Sequence, residues 1–210
     1  MALHVARLGE TTHATCPCAR QINRQNKVAT RLRALSGIPD SELPPYALLS
    51  TPVYSLSSAN AAGKTTLNMI TYASPIALRP QRKYALGLYV QSMTYQNIKE
   101  TGRAVLQVLQ EPHAQLTQLL GKTSGRDIDK VAQLQQLGFS VGEEYGLPVL
   151  ADAVGVMELK VVSDFIPAGD HEVVVCDVVS WKHRQQGEGD DAAATSAPLY
   201  TGYLREHGHL

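Results

Sequence analysis

Every apolar run in this chain is only as long as a strand, and that restricts its folding options more than any other feature. The longest, Tyr84 to Val90 and Val173 to Val179, fall far short of the ~20 residues needed to cross a bilayer as a helix. Around them the pattern predicts further strands over Tyr46–Leu56, Met69–Leu78, Tyr84–Gln91, Ala104–Leu109, Val156–Phe165, His171–Lys182 and Pro198–Leu204. Helical spacing is confined to Thr94–Thr101, closed by Gly102 as a left-handed cap, to His113–Leu120, to Asp127–Leu137 with Asp127 as N-cap, and to Leu150–Val154. Many short strands, few helices and no strand–helix–strand rhythm argue for a barrel or sandwich rather than a doubly wound sheet.

The 210 residues suffice for one domain with a full core. Nineteen basic and nineteen acidic side chains cancel, so the charge balance points neither to nucleic acid nor to a membrane surface. With no span-length apolar segment, a soluble protein without membrane insertion is expected. Three cysteines do not make a disulfide framework: Cys176 reads as a buried thiol, and Cys16-Pro17-Cys18 is too closely spaced for an ordinary zinc pair. No metal site is expected.

Residues 1–36 differ from the rest. Arg7, Arg20, Arg24, Lys27, Arg31 and Arg33 face the single acid Glu10, with Thr11, Thr12, Thr15 and Thr30 interspersed. That composition fits a plastid or mitochondrial transit peptide, and equally a disordered tail or an early start codon on a cytoplasmic protein. Gly37 to Pro45 reads as a linker, and the Gly/Asp/Ala-rich stretch 185–196 as a flexible insert.

The most informative segment for function runs from Asn68 to Leu109. Asn68-Met69-Ile70-Thr71-Tyr72-Ala73-Ser74-Pro75 leads into an apolar strand, after which Ser92-Met93-Thr94-Tyr95-Gln96-Asn97-Ile98 opens a helix. Short hydroxyl side chains and backbone amides can approach an aromatic ring closely, while a helix N-terminus offers free N–H donors to an anion. The pairing suits an aromatic cofactor that carries a phosphate. Gly63-Lys64-Thr65 imitates the end of a phosphate-binding loop, but Ser58 stands where its first glycine belongs, and Asn60 to Gly63 reads as a turn between strands.

Six blocks in order resemble the flavin reductase-like, FMN-binding split-barrel family: Leu48-Leu49-Ser50-Thr51; Asn68 to Pro75; Thr94 to Ile98 with the Gly102 cap and the Val105 to Leu109 strand; Gly146-Leu147-Pro148-Val149-Leu150; Gly169-Asp170-His171; and Pro198-Leu199-Tyr200. The resemblance covers Tyr46 to Arg205, about three quarters of the chain. It implies a mainly β Greek-key split barrel with a few short helices, formed by residues 37–206, and a homodimer with one FMN per protomer near the interface. The chemistry it implies is NAD(P)H-dependent flavin reduction, with hydride passing from NADH or NADPH to flavin N5.

On the same basis Thr71, Tyr72, Ala73 and Ser74 line the isoalloxazine and ribityl chain, with Asn68 at the head of the segment. Ser92, Thr94 and Asn97 are the phosphate candidates. Arg82 and Lys83, in a basic cluster with Arg79, are candidate partners for a flavin or nicotinamide phosphate. His171 matches the histidine of the family's Gly-Asp-His turn and is the catalytic candidate, as a proton donor or a hydrogen-bond partner of the nicotinamide. Each has a plainer alternative: ordinary strand residues at 71–74, an N-cap at Thr94, solvated basic side chains, a turn-closing histidine. Leu78-Arg79-Pro80-Gln81 departs from the acidic residue and paired prolines common in the reductases. That departure motivates a second reading, an FMN-binding module without turnover, acting in a complex or as a sensor. A split barrel binding heme or another tetrapyrrole ranks below both.

Overall fold

The computed structural model describes residues 44–183 and 197–210. The readings for residues 1–36, for Cys16-Pro17-Cys18, for most of the linker and for the insert at 185–196 fall outside them.

Ten strands and three α-helices make up the described fold: β1 (Tyr54–Ala59), β2 (Thr65–Ile70), β3 (Ala73–Ala77), β4 (Lys83–Tyr89), α1 (Met93–Thr101), β5 (Arg103–Val108), α2 (Lys130–Gln136), β6 (Val141–Glu144), β7 (Leu147–Leu150), β8 (Gly155–Val161), β9 (Ile166–Ala168), β10 (His171–His183) and α3 (Thr201–Glu206). Eight strands form one antiparallel sheet in the order β2-β1-β5-β8-β10-β4-β3, with β9 added to β10, while β6 and β7 pair separately as a hairpin.

The order contains its own closure. β2 and β3 lie at opposite ends of the sheet, yet only Thr71 and Tyr72 separate them in sequence. So short a link forces the sheet to curl until its two ends meet, and the Gly87 N–H donates to the Tyr72 carbonyl at 2.7 Å, which carries the β3–β4 pairing back into the link. β10 supports the curl. Its first half pairs with β4 and its second with β8, and a bulge between Val178 and Ser180 bends the strand. The split β-barrel expected from the resemblance is the fold observed.

Period-2 alternation places Leu86 and Leu88 of β4 with Val174, Cys176 and Val178 of β10 in one core, joined by Leu56, Leu106, Leu159 and Ile98. Burial pushes the Cys176 thiol up to about 12. A second core under the helices gathers Leu67, Leu109, Leu116, Leu120, Leu134, Leu150, Leu199 and Leu204. β1 lies between them and is buried on both faces, so its serines need partners, which Ser57 and Ser58 have and Ser55 Oγ lacks among the described residues. Gln107 Nε2 donates to Ser57 Oγ at 2.7 Å, Ser57 Oγ donates to the Pro148 carbonyl at 2.5 Å, and Gln107 Oε1 accepts from the Leu150 N–H at 2.7 Å.

Several boundaries differ from the sequence reading. Tyr46–Leu56 is not one strand: a 3-10 turn occupies Pro45–Leu48, and β1 starts only at Tyr54. Met69–Leu78 is two strands, because the chain leaves the β1 ladder at Ile70 and joins β4 at Ala73. Pro75 is tolerated in β3 because that strand is an edge. His113–Leu120 is a 3-10 turn (Glu111–Leu116) running into a wider π turn (Thr117–Lys122). The cap of α2 is Asp129, whose Oδ1 accepts from the Val131 and Ala132 N–H groups, while Asp127 sits in the preceding turn. Leu150–Val154 is no helix but the end of the β6–β7 hairpin and a turn. Pro198 and Tyr200 make single β-bridges, to Gln110 and Pro52, before the chain turns into α3 rather than a last strand.

Candidate functional site

The seam opens into a cavity of about 410 Å³, within the range of small-molecule sites. One wall is β2 with the seam itself, contributing Thr66, Asn68, Ile70, Thr71 and Tyr72. Gly87 and Tyr89 of β4, the start of α1 and His171 at the head of β10 form the other. Gly121 to Gly125 and Lys130 close the far side.

Two glycines permit this closeness. A Cβ on Gly87 would sit 3.0 Å from Tyr72 Cβ, a tight contact that the glycine avoids where the seam meets β4. A Cβ on Gly125 would come within 2.3 Å of Thr66 Oγ1, which keeps the Gly121–Gly125 loop tight against β2.

Six of the eleven predicted residues, Asn68, Thr71, Tyr72, Ser92, Thr94 and His171, line this one cavity. Ser92, not Thr94, caps α1: its Oγ accepts from the Tyr95 N–H at 3.0 Å and donates to the Tyr89 carbonyl at 2.8 Å. The helix therefore begins at the cavity wall, and its first N–H groups have no intrahelical acceptors. At the other end Gly102, with φ 66°, is the left-handed cap read from the sequence. His171 packs its ring 5.1 Å from that of Tyr72 and 5.5 Å from that of Tyr89. Its Nδ1 lies 2.7 Å from Asp170 Oδ1, and this hydrogen bond holds the Asp170 carboxyl below its ordinary range.

The other five lie elsewhere. Ala73 and Ser74 line an adjoining groove that shares Thr71, Tyr72 and His171 with the cavity. Asn97 is buried, and its Nδ2 donates to Ser58 Oγ at 3.2 Å, fastening α1 to β1. The Arg82 guanidinium stacks 4.7 Å from the Trp181 ring, and Lys83 Nζ lies 2.5 Å from Asp177 Oδ1. These two line a separate apolar hollow of about 210 Å³ beside Trp181.

The residue that sequence reading missed is Lys130. It is 3 % exposed, with Nζ donating to the Leu120 carbonyl at 3.0 Å and lying 3.5 Å from Asn68 Oδ1. Burial pulls its ammonium down to about 8. A lysine at the first position of a short helix gives no sequence signal of burial. The neighbouring Gly121-Lys122-Thr123-Ser124-Gly125 run, short and hydroxyl-rich between glycines, was the available clue. Two lysines and no Asp or Glu line the cavity, a charge pattern that suits an anion. Among the described residues, no cluster of three His, Cys, Asp or Glu side chains could hold a metal ion, and no helix is long and apolar enough to cross a membrane.

Residues 46–203 match the family model of the flavin reductase like domain. The chain belongs to the flavin reductase-like family. Solved structures agree on the family's fold at low identity. A flavoredoxin from Methanosarcina acetivorans superposes with a TM-score of 0.60 at 19% identity, over 78% of this chain and 84% of that one. The styrene monooxygenase flavin reductase of Pseudomonas putida S12 gives 0.56 at 19%, over 73% and 87%. An FMN-binding protein from Thermus thermophilus, with 1-cyclohex-2-enone bound, gives 0.57 at 18%, over 70% and 78%. A Sinorhizobium meliloti 1021 chain scores 0.58 at 20% identity over 75% of this chain, which spans only 51% of its length. No curated protein matches in sequence. Within the flavin reductase-like fold the cavity lies where the curled sheet's two ends meet, and it brings the seam, the α1 cap and His171 together.

Proposed function

We propose that the protein binds FMN in the seam cavity and reduces it with NADH or NADPH, working as a homodimer. One observation carries this reading: a cavity lined by the seam segment, the start of a helix and two lysines, with no carboxylate, in a chain of the flavin reductase-like family. When bound, FMN supplies a two-electron acceptor whose ring takes up negative charge on reduction.

The chain's part is to bind, orient and exclude water. Thr71 and Tyr72, with Ala73 and Ser74 in the adjoining groove, present backbone amides and short side chains to the ring. Asn68 offers its amide from β2. The start of α1 at Ser92 and Thr94 faces the phosphate. His171, held by Asp170 and wedged against Tyr72 and Tyr89, serves the nicotinamide side as a proton donor or hydrogen-bond partner. Exposed Ile76, Leu78, Val179 and Trp181 offer apolar surface for a second copy.

An absorption spectrum of the purified protein, before and after anaerobic NADH or NADPH, tests the reading. Flavin bands that bleach rapidly support it. A protein that cannot be loaded with FMN overturns it. Loaded flavin that stays oxidised with both donors favours the second reading, a binding module without turnover. The divergent Leu78-Arg79-Pro80-Gln81 segment, which does not line the cavity, motivates that alternative.

A further inference from the structure

Lys130 reaches the cavity from the first turn of α2, a helix anchored by Leu134 in the second core. A buried ammonium without a counter-charge is costly, and proteins ordinarily pair it. Here its hydrogen-bond acceptors, the Leu120 carbonyl and Asn68 Oδ1, are both neutral. The adjacent carboxylate is turned away, since Asp129 Oδ1 accepts from the Val131 and Ala132 N–H groups. No Asp or Glu lines the cavity, and the second cation there, Lys122, is exposed. An ammonium has three donors, and two have protein acceptors among the described residues.

A ligand entering this cavity meets a buried cation whose protein partners are all neutral. The ring of oxidised flavin is neutral, whereas a phosphate monoester carries close to two negative charges near neutral pH. We propose that Lys130 is a specificity-determining residue of this cavity, the buried cation that makes it select a flavin bearing a phosphate monoester over the same flavin without one. The inference rests on the FMN reading above and adds to it the residue that performs the selection. Burial that pulls the ammonium down to about 8 is consistent with a group awaiting its anion.

The test compares FMN with riboflavin. The full chain, as wild type, Lys130→Met and Lys130→Arg, is titrated with each flavin at pH 7 while quenching of flavin fluorescence is followed. Wild type should prefer FMN clearly. Lys130→Met should lose about 10- to 100-fold in FMN affinity, the scale of one charge-assisted hydrogen bond, and only a few-fold for riboflavin. Lys130→Arg should recover part of the preference, which a merely structural role would not produce. Lys130→Gln, which keeps a hydrogen-bond donor for Asn68 and Leu120, repeats the comparison if the methionine variant unfolds. Equal losses for both flavins, or an unchanged FMN affinity, would overturn the assignment of Lys130. Wild-type protein that binds neither flavin would instead bring down the FMN reading, a separate and recognisable failure.

Discussion

Two sets of cations on this molecule make opposite use of their charge. Arg82 and Lys83 stand beside β3 in the basic cluster that a sequence reader picks first, yet both are satisfied within the chain, by the Trp181 ring and the Asp177 carboxylate. Lys130 sits in an unremarked helix, is buried, and hydrogen-bonds only to neutral oxygens. Number and exposure of positive side chains therefore say little about uncompensated charge; what counts is whether the chain has already neutralised them.

This contrast can be broken in four places. The first is Ser92→Ala/Thr94→Ala, which removes the cap and a hydroxyl at the start of α1. FMN affinity should fall by about 1.5–3 kcal/mol, the scale of one charge-assisted hydrogen bond from the Thr94 hydroxyl, with the Ser92 cap lost beside it. Equilibrium dialysis showing unchanged affinity would place the phosphate elsewhere in the cavity.

Next comes the pH dependence of stability without ligand. The folded-state affinity of Lys130 for its proton, about 8, lies below the ordinary 10.5. The unfolded chain thus binds more protons between those values, and stability rises with pH across that window. Below pH 8 the cost of the buried charge is fully present. Above about 10.5 it is gone. Urea melts should show wild type gaining roughly 3 kcal/mol relative to Lys130→Met between pH 8 and 10.5, and parallel curves would mean that the ammonium is solvated.

His171→Gln should slow flavin reduction by about 10- to 100-fold while FMN affinity changes little, as befits a single acid–base or hydrogen-bonding group. Stopped-flow reduction separates the two, and loss of FMN itself would reassign His171 to cofactor binding. The smallest effect belongs to Lys83→Met. Its ion pair with Asp177 is partly exposed, at 34% and 28%, so stability should change by less than about 1 kcal/mol. FMN affinity should not move, and a tenfold loss would put the basic cluster back in the site.

How much of this was legible in the sequence depended on whether the signal was local. Gly102 as a left-handed cap, the Asn60–Gly63 turn, the buried Cys176 and the strand periodicity of β4 and β10 are properties of a few consecutive residues, and each appears as read. The misreadings come from partners distant in sequence. Thr71 and Tyr72 look like mid-strand residues until β1 and β4 claim the two sides of the segment. Leu150 looks helical until β6 pairs with β7 through a turn at Tyr145 and Gly146, both at positive φ. Asp127 and Asp129 are equally good caps on paper, and the choice follows from the Asp127 N–H bonding to the Ser124 carbonyl. That the seam, Ser92, Thr94 and His171 share one cavity was legible through the order of motifs, but the burial of Lys130 against β2 was not.

The two-residue seam also bears on how the protein acquires its cavity. β2 and β3 are two residues apart in the chain, yet the sheet that runs from one to the other is complete only with β5, β8 and β10. Closure therefore waits for strands far along the sequence, the long-range pairing that slows folding. The last wall residue to arrive, His171, belongs to the strand that completes the ring. A partly folded chain has no cavity to offer, so a ligand held there draws on the stability of the whole barrel. Any molecule that binds only the closed barrel therefore stabilises all of it at once, by mass action rather than by local contact.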